Sequence, residues 1–372
     1  MLIFQLITAF VISFIVNFAV ILYFTRHKNL ACDKIDDRPQ RFHINLTPRI
    51  GGAGIFLAFS SPLLFMWLYY TYINTSVHMN NLDYYAYLPL TALPVFLAGF
   101  TEDLTGRVGS KIRLSAALLS ALLAIYFLKS FLLRTDIGII DGLFSIRAVS
   151  VAFSVIGIVG LANSFNIIDG FNGLSSAVSV MILLSLAYVA FKSGDLFVIK
   201  ASLILIFSIF GFFIWNYPFG KIFLGDGGAY LIGFTVAVIS ILLVDTNKEV
   251  SAWFPFLLCF YPIFETLFSI YRKTVRKTSP MEPDGLHLHM LVYKRVIPRI
   301  FGNDINNNPL YRNFMTSPIL WLINSLSVIP AILFWNNTPV LIVFVVIFTA
   351  VYLWIYKSIT GFKLRRFIKR KV

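Results

Sequence analysis

Asn163, Asn166 and Asp169 follow one another at three-residue spacing in the stretch Asn163-Ser164-Phe165-Asn166-Ile167-Ile168-Asp169-Gly170-Phe171-Asn172-Gly173-Leu174. Residues at that spacing share one face wherever the chain is helical. Gly170 and Gly173 allow a tight turn or a close approach of backbone to ligand. The stretch separates two long apolar runs, where polar groups are costly unless they line a cavity or face water. A helix cap of Asn and Asp with a glycine turn is the plain alternative. Three groups in register exceed what a cap requires.

Four other stretches carry chemistry of the same kind. Asp36-Asp37-Arg38-Pro39-Gln40-Arg41-Phe42-His43 leads into Thr47-Pro48-Arg49-Ile50-Gly51-Gly52. Arg41, His43 and Arg49 ahead of Gly-Gly at a helix start suit a phosphate or pyrophosphate, and equally suit an ordinary basic loop beside a membrane. Glu102-Asp103 is an acidic pair able to bind a divalent cation or act as a base, although an isolated pair is more often simply solvated. Asp226 lies among glycines in Lys221-Ile222-Phe223-Leu224-Gly225-Asp226-Gly227-Gly228, at the start of an apolar run. There it fits a Mg²⁺ ligand holding a nucleotide diphosphate, or an N-cap. His287 and His289 stand in Pro283-Asp284-Gly285-Leu286-His287-Leu288-His289. With no cysteine beside them and the other histidines scattered, phosphate or carboxylate binding is a better reading than a closed zinc site. Taken together, these acids, amides and basic groups are the equipment for Mg²⁺-assisted phosphoryl transfer from a soluble nucleotide to a lipid, with Mn²⁺ as a substitute ion.

The elements that must position them are membrane helices. The 372 residues are 58% hydrophobic and 13% charged, with a mean hydropathy of +0.81, a composition that excludes an ordinary soluble domain. Runs of about 17–25 apolar residues span a bilayer. They predict an all-α polytopic protein with eleven spans near 2–24, 51–72, 84–100, 113–133, 148–165, 173–191, 197–215, 227–245, 251–271, 318–335 and 339–357. Residues 1–24 lack the basic start and small-residue cleavage site of a signal peptide. Cys32 and Cys259 offer no disulfide framework. If the first loop is cytoplasmic, inner segments hold 25 of the 31 Lys and Arg, which puts the N-terminus outside and the C-terminus in the cytoplasm. The net charge of +14 is then a matter of topology and needs no nucleic acid partner. All five stretches fall on the inner face around an inward-facing cleft, whereas the outer loops read as chemically plain. One domain, 1–372, is expected, with a long cytoplasmic loop at 272–317 and a basic tail at 357–372. Glu265 lies inside the ninth span, as a proton-relay group or, the favoured reading, a hydrogen-bonding group near the inner end of the bundle.

In motif order the chain resembles the polyprenyl-phosphate N-acetylhexosaminyl-1-phosphate transferases, which include phospho-MurNAc-pentapeptide transferase. The matching elements are the Arg/His loop ending in Gly-Gly, the acidic pair, N-x-x-N-x-x-D-G-x-x-G-L, F-L-G-D-x-G and P-D-x-x-H-L-H. The resemblance implies Mg²⁺-dependent transfer of a sugar-1-phosphate from a UDP-N-acetylhexosamine to undecaprenyl phosphate in the bacterial inner membrane, releasing UMP. It also implies Asp226 as a metal ligand, Asp103 as the base toward the lipid phosphate and Asp169 as an essential acid near the metal. Glu102 completes the catalytic set; Asn163, Asn166, Asn172 and Lys221 join the histidines and the loop's Arg41, His43 and Arg49 as substrate-binding candidates. Glu102 departs from the family's usual Asp-Asp pair, and Asn172 replaces the second acid of D-G-x-D-G-L. A simple or modified UDP-HexNAc that initiates a surface glycan (O-antigen, capsule or wall polymer) is preferred to the peptidoglycan precursor. A homodimer is compatible with the sequence. A polyprenyl-lipid or nucleotide-sugar transporter is the rival reading, but it calls for ionisable groups near the bilayer midplane. A scaffold would explain the loops least well.

Overall fold

Apolar runs of this length leave the backbone polar groups no water to pair with, so they must pair within the segment. The computed structural model is accordingly helical. It describes residues 2–26, 47–73, 82–277, 285–302 and 308–369, with side chains described as far as Gly361. In chain order the helices are α1 (Leu2–Arg26), α2 (Gly51–Leu68, extended by a π-helical turn Tyr69–Ile73), α3 (Tyr84–Thr105), α4 (Ser110–Leu128), α5 (Gly138–Phe144), α6 (Arg147–Ile168), α7 (Leu174–Ser193) and α8 (Leu196–Asn216). They continue with α9 (Gly225–Thr246), α10 (Trp253–Leu258), α11 (Phe260–Val275), α12 (Leu288–Leu291), α13 (Ile297–Phe301), α14 (Pro309–Leu333) and α15 (Thr338–Lys369). No β-strand occurs among the described residues.

Nine of these helices are long and apolar enough to cross a membrane: α1, α2 with its π turn, α4, α6, α7, α8, α9, α14 and α15. Two of the eleven expected spans take another form. The third lies in α3, which carries Pro89 and Pro94 and ends in the Glu102-Asp103 pair. Its Val95 N–H donates to Ser120 Oγ of α4 at 3.0 Å, a neighbour supplying a bond where proline disturbs the ladder. The ninth is broken at Cys259 into α10 and α11. Pro255 and Pro262 each fall in a first turn, where proline's missing N–H costs nothing, so each residue favours a fresh helix start. α14 starts nine residues ahead of the expected span, with Asn308 accepting from Tyr311 N at 3.1 Å as its cap. The 272–317 region is less loop-like than expected, since Leu288 to Tyr293 are buried.

α9 runs through the middle of the bundle with nearly all its side chains buried, packed on α3 and α6 and flanked by α2 and α7. α1 exposes Ile3, Phe4, Ile7 and Ile15, a surface suited to hydrocarbon rather than water. At the end of α9 far from Asp226, the loops are not chemically plain. Arg134 Nη2 donates to the carbonyls of Val244, Asn247 and Val250 at 3.2, 3.1 and 2.6 Å, and Arg134 pairs with Asp136. Carbonyls at the end of a helix need donors from elsewhere, and Arg134 provides them.

Candidate active site

Glycine brings the site together. Gly51 N donates to Phe223 O and Gly52 N to Leu224 O, both at 2.9 Å, while Phe223 N donates to Pro48 O at 2.8 Å. A Cβ at Gly52 would overlap the Gly228 nitrogen, and one at Gly99 would stand 2.6 Å from the Gly227 nitrogen. The Gly-Gly pair thus seats α2 against the entrance to α9. Its amides are spent on that contact, so a phosphate at this loop, one of its two readings, would have to be met by the arginine side chain rather than by the Gly-Gly backbone.

Asp103, at the end of α3, faces the start of α9. Its Oδ1 accepts from Asp226 N at 2.8 Å and its Oδ2 from Gly227 N at 2.9 Å. A carboxylate at a helix N-terminus satisfies orphan donors and complements the dipole. The acidic pair divides at this point, because Glu102 turns outward and accepts from Val108 N at 2.6 Å, closing the loop that leaves α3. Asp103 therefore carries a cap role that the resemblance did not assign.

Asp226 collects three partners from three elements. Asn166 Nδ2 donates to its Oδ1 at 2.8 Å, Arg49 Nη2 lies 3.6 Å from that oxygen, and Arg113 of α4 pairs with Oδ2. The Arg113 guanidinium also stands 5.9 Å over the Tyr230 ring, whose hydroxyl donates to Asn163 Oδ1 at 3.1 Å. Asn163 and Asn166 thus share the face that their spacing predicts. Arg113 was not among the candidate site residues. Its signal is a cation in the first turn of α4, where the helix dipole disfavours positive charge unless an acid faces it.

Asp169 ends α6 at φ −78°, ψ 65°, with Gly170 N donating to Ile168 O at 2.8 Å. This is an inverse γ-turn, and it swings the carboxyl off the helix. The side chain makes no hydrogen bond to a described residue. Burial pushes its pKa up to about 7, and the Arg49 guanidinium nearby acts in the opposite direction. Arg49 acts on Asp103 as well, so one arginine serves all three aspartates.

The remaining candidates are placed differently. Asn172 is buried. Its backbone N–H donates to Asn313 Oδ1 at 2.9 Å, its carbonyl accepts from Ser317 Oγ at 2.6 Å, and its amide reaches Pro218 O at 3.3 Å. In this arrangement it ties the loop down and offers a ligand almost no surface. Lys221 is exposed, its ammonium over Trp215 and Phe219 at 5.8 and 5.6 Å. His287 and His289 are also buried, and His287 Nδ1 meets Glu265 Oε1 at 2.9 Å. Glu265 thus has the bundle hydrogen-bonding role favoured from its position in the sequence. Arg41 and His43 lie outside the described residues.

The carboxylates can be weighed as a cation site. Among the described residues no three His, Cys, Asp or Glu side chains are grouped to enclose an ion, which is not the arrangement of a closed, all-protein cage. Mg²⁺ instead takes one or two carboxylates together with substrate phosphates and water. Asp169, with no hydrogen bond to a described residue, is open to such an ion, and Asp226 would join it by exchanging Asn166, Arg49 or Arg113 at one of its two oxygens.

These acids and amides lie in residues 85–244, which match glycosyl transferase family 4. That match agrees with the motif resemblance. It is 26% identical over 362 residues to the probable undecaprenyl-phosphate N-acetylglucosaminyl 1-phosphate transferase of Bacillus subtilis, covering 94% of this chain and 92% of that one. The undecaprenyl-phosphate alpha-N-acetylglucosaminyl 1-phosphate transferase of Thermotoga maritima is 29% identical over 262 residues, 70% of this chain and 73% of its own. The phospho-N-acetylmuramoyl-pentapeptide-transferase of Streptococcus thermophilus is 38% identical, over only 25% of this chain and 27% of its own.

Proposed function

We propose that the protein is a glycosyl-1-phosphate transferase that moves N-acetylhexosamine 1-phosphate from a UDP-sugar to undecaprenyl phosphate and releases UMP. The observation that carries this reading is the convergence on Asp226 of Asn166, Arg49 and Arg113, from three separate elements, with the same Arg49 acting on the carboxyl of Asp169. Similarity over nearly the whole chain to a protein named for N-acetylglucosamine 1-phosphate transfer, against a quarter of the chain for the pentapeptide transferase, favours N-acetylglucosamine as donor sugar. The product would initiate a surface glycan.

In the reaction, an oxygen of the lipid phosphate forms a bond to the phosphorus bearing the sugar. The bond from that phosphorus to the bridging oxygen breaks, and UMP leaves with the electron pair. A phosphate monoester has a second pKa of about 6, so at neutral pH most of the acceptor is already ionised and a base is of small benefit. Asp169 and Asp226 would hold Mg²⁺, which supplies charge neutralisation of the diphosphate when bound. Arg49 and Arg113 are the cations within reach of those acids, placed to meet the phosphates as charge shifts to the leaving group. Asp103 fixes the start of α9 and with it Asp226. A route through a phospho-enzyme would instead need a carboxylate of the chain to displace UMP and the lipid phosphate then to displace that carboxylate.

The topology proposed with this function has eleven crossings, α3 and the α10–α11 pair completing the nine long apolar helices. The N-terminus is outside and the acids face the cytoplasm, where nucleotide sugars are made. The rival transporter reading is separated by product analysis. Purified protein would be given undecaprenyl phosphate, Mg²⁺ and UDP-N-acetylglucosamine, with UDP-N-acetylgalactosamine in parallel. UMP formed only with lipid and cation present is the expected result. UDP in its place would mean ordinary glycosyl transfer, and no nucleotide release with either donor would favour transport.

A further inference from the structure

Glu265 is fully buried and lies outside the family-matched segment. Burying a carboxylate is costly unless several donors surround it, and three do here. Its Oε1 accepts from His287 Nδ1 and Leu288 N, both at 2.9 Å, and its Oε2 from the Tyr352 hydroxyl of α15. The His287 ring lies parallel to that of His289, 4° apart in plane and 5.2 Å between centroids. His289 in turn rests against the catalytic loop. A Cβ at Gly170 would stand 3.0 Å from its Nε2, and its ring meets Phe171 edge-on at 5.7 Å. Tyr293 stacks on the same Phe171 at 5.2 Å, and Arg312 of α14 lies 4.2 Å over Tyr293. The two residues after Asp169 therefore pack against the C-terminal part of the chain.

We infer that Glu265 is a positioning residue for the Asp169 loop, acting through the His287–His289 stack, which buttresses the loop from behind. The inference rests on the transferase reading only for its kinetic consequence. Asp169 needs the support because it has no hydrogen bond of its own among the described residues. Its direction is set by a single γ-turn and by whatever holds Gly170 and Phe171. A shift of about 1 Å in a reacting group can cost on the order of 100-fold in rate.

The test uses full-length protein in detergent micelles, comparing wild type, Glu265→Gln and Tyr352→Phe. Glu265→Gln keeps the shape but gives up the charge and one acceptor, whereas Tyr352→Phe removes a single donor and covers the case in which the first variant fails to fold. Two readouts are taken: hydrogen exchange of the 166–173 amides, and kcat and KM for UMP formation. Faster exchange in that segment alone, with kcat lower by about 10-fold or more and both KM values unchanged, is expected, with the smaller effect in Tyr352→Phe. Unchanged exchange at 166–173 in both variants would overturn the inference. So would a loss confined to the KM for the UDP-sugar, which would make the histidines donor ligands. If wild type forms no UMP, the transferase reading fails, and exchange alone still decides whether Glu265 orders the loop.

Discussion

Asp103 and Asp169 are acids of the same cleft whose pKa values burial raises, to about 8 and about 7, but their hydrogen bonding differs. Asp103 holds two backbone amides, so Asp103→Asn leaves one N–H facing an NH₂ group. The loss of a buried acceptor is worth about 1–3 kcal/mol, and a lower melting temperature is expected together with lower activity. A catalytic base with no cap role would lose activity at an unchanged melting temperature. Asp169→Asn breaks no hydrogen bond and relieves a buried charge, so activity should vanish while the melting temperature holds or rises. The raised pKa of Asp169, about 7 against an ordinary 3.8, has a pH consequence. Between those values the folded protein binds more protons than the unfolded chain, and Asp103, raised to about 8, adds to the excess, so stability in the absence of divalent cations falls as pH rises from about 4 to about 8 and then levels. Melting curves recorded in chelator across that range should show the decline in wild type and a weaker one in Asp169→Asn. Adding Mg²⁺ should flatten the wild-type curve, because a cation at Asp169 favours the charged form. These acids were legible in the sequence because carboxylates and amides are conspicuous in apolar runs. The partners of Asp226 were less so: Arg113 precedes it by more than a hundred residues, and only the packing of α4 beside α9 brings them together. The burial of Asn172 depends likewise on Asn313 and Ser317, which no local pattern connects to it.

Among the elements, α2, α3 and α9 are held at backbone contact by glycines. Gly52 and Gly99 have no room for a side chain where they meet Gly228 and Gly227, while Gly160 of α6 has open space around its Cα. Overpacking a close contact costs about 1–3 kcal/mol, and an open helical glycine gains about 0.5–1 kcal/mol on becoming alanine. Gly52→Ala and Gly99→Ala should therefore lower the melting temperature and reduce activity by displacing the start of α9, whereas Gly160→Ala should match or exceed wild type in stability. Equal melting temperatures for all three would mean the helices adjust freely, and the cap geometry at Asp226 would lose its support. The helices themselves followed from run length and composition. What escaped was the break at Cys259, because an apolar run containing prolines reads the same whether they kink one helix or start another. The role of Gly-Gly also escaped, since glycine before a helix suits an anion or a neighbouring helix equally well.

For the whole molecule, direction is what joins the chemistry to the cell. The ends of α3 and α6 and the starts of α2, α4 and α9 carry the acid cluster and its arginines, while Arg134 closes the loops at the other end of α9. Lys and Arg concentrate in the segments that alternation puts beside the acids, 25 of 31 in all, and such bias marks the cytoplasmic side. Two exposed positions test this directly, Thr105 at the end of α3 and Ser145 just after α5. With Cys32 and Cys259 replaced by alanine, Ser145→Cys should react with a membrane-impermeant maleimide on intact cells. Thr105→Cys should react only after permeabilisation. The reverse pattern would put Asp103, Asp169 and Asp226 on the outer face, away from the cytosolic supply of nucleotide sugar, and would leave the cluster without its proposed donor. Labelling of both positions on intact cells would break the alternation between them, and with it the crossing of α4 on which the eleven-span topology depends.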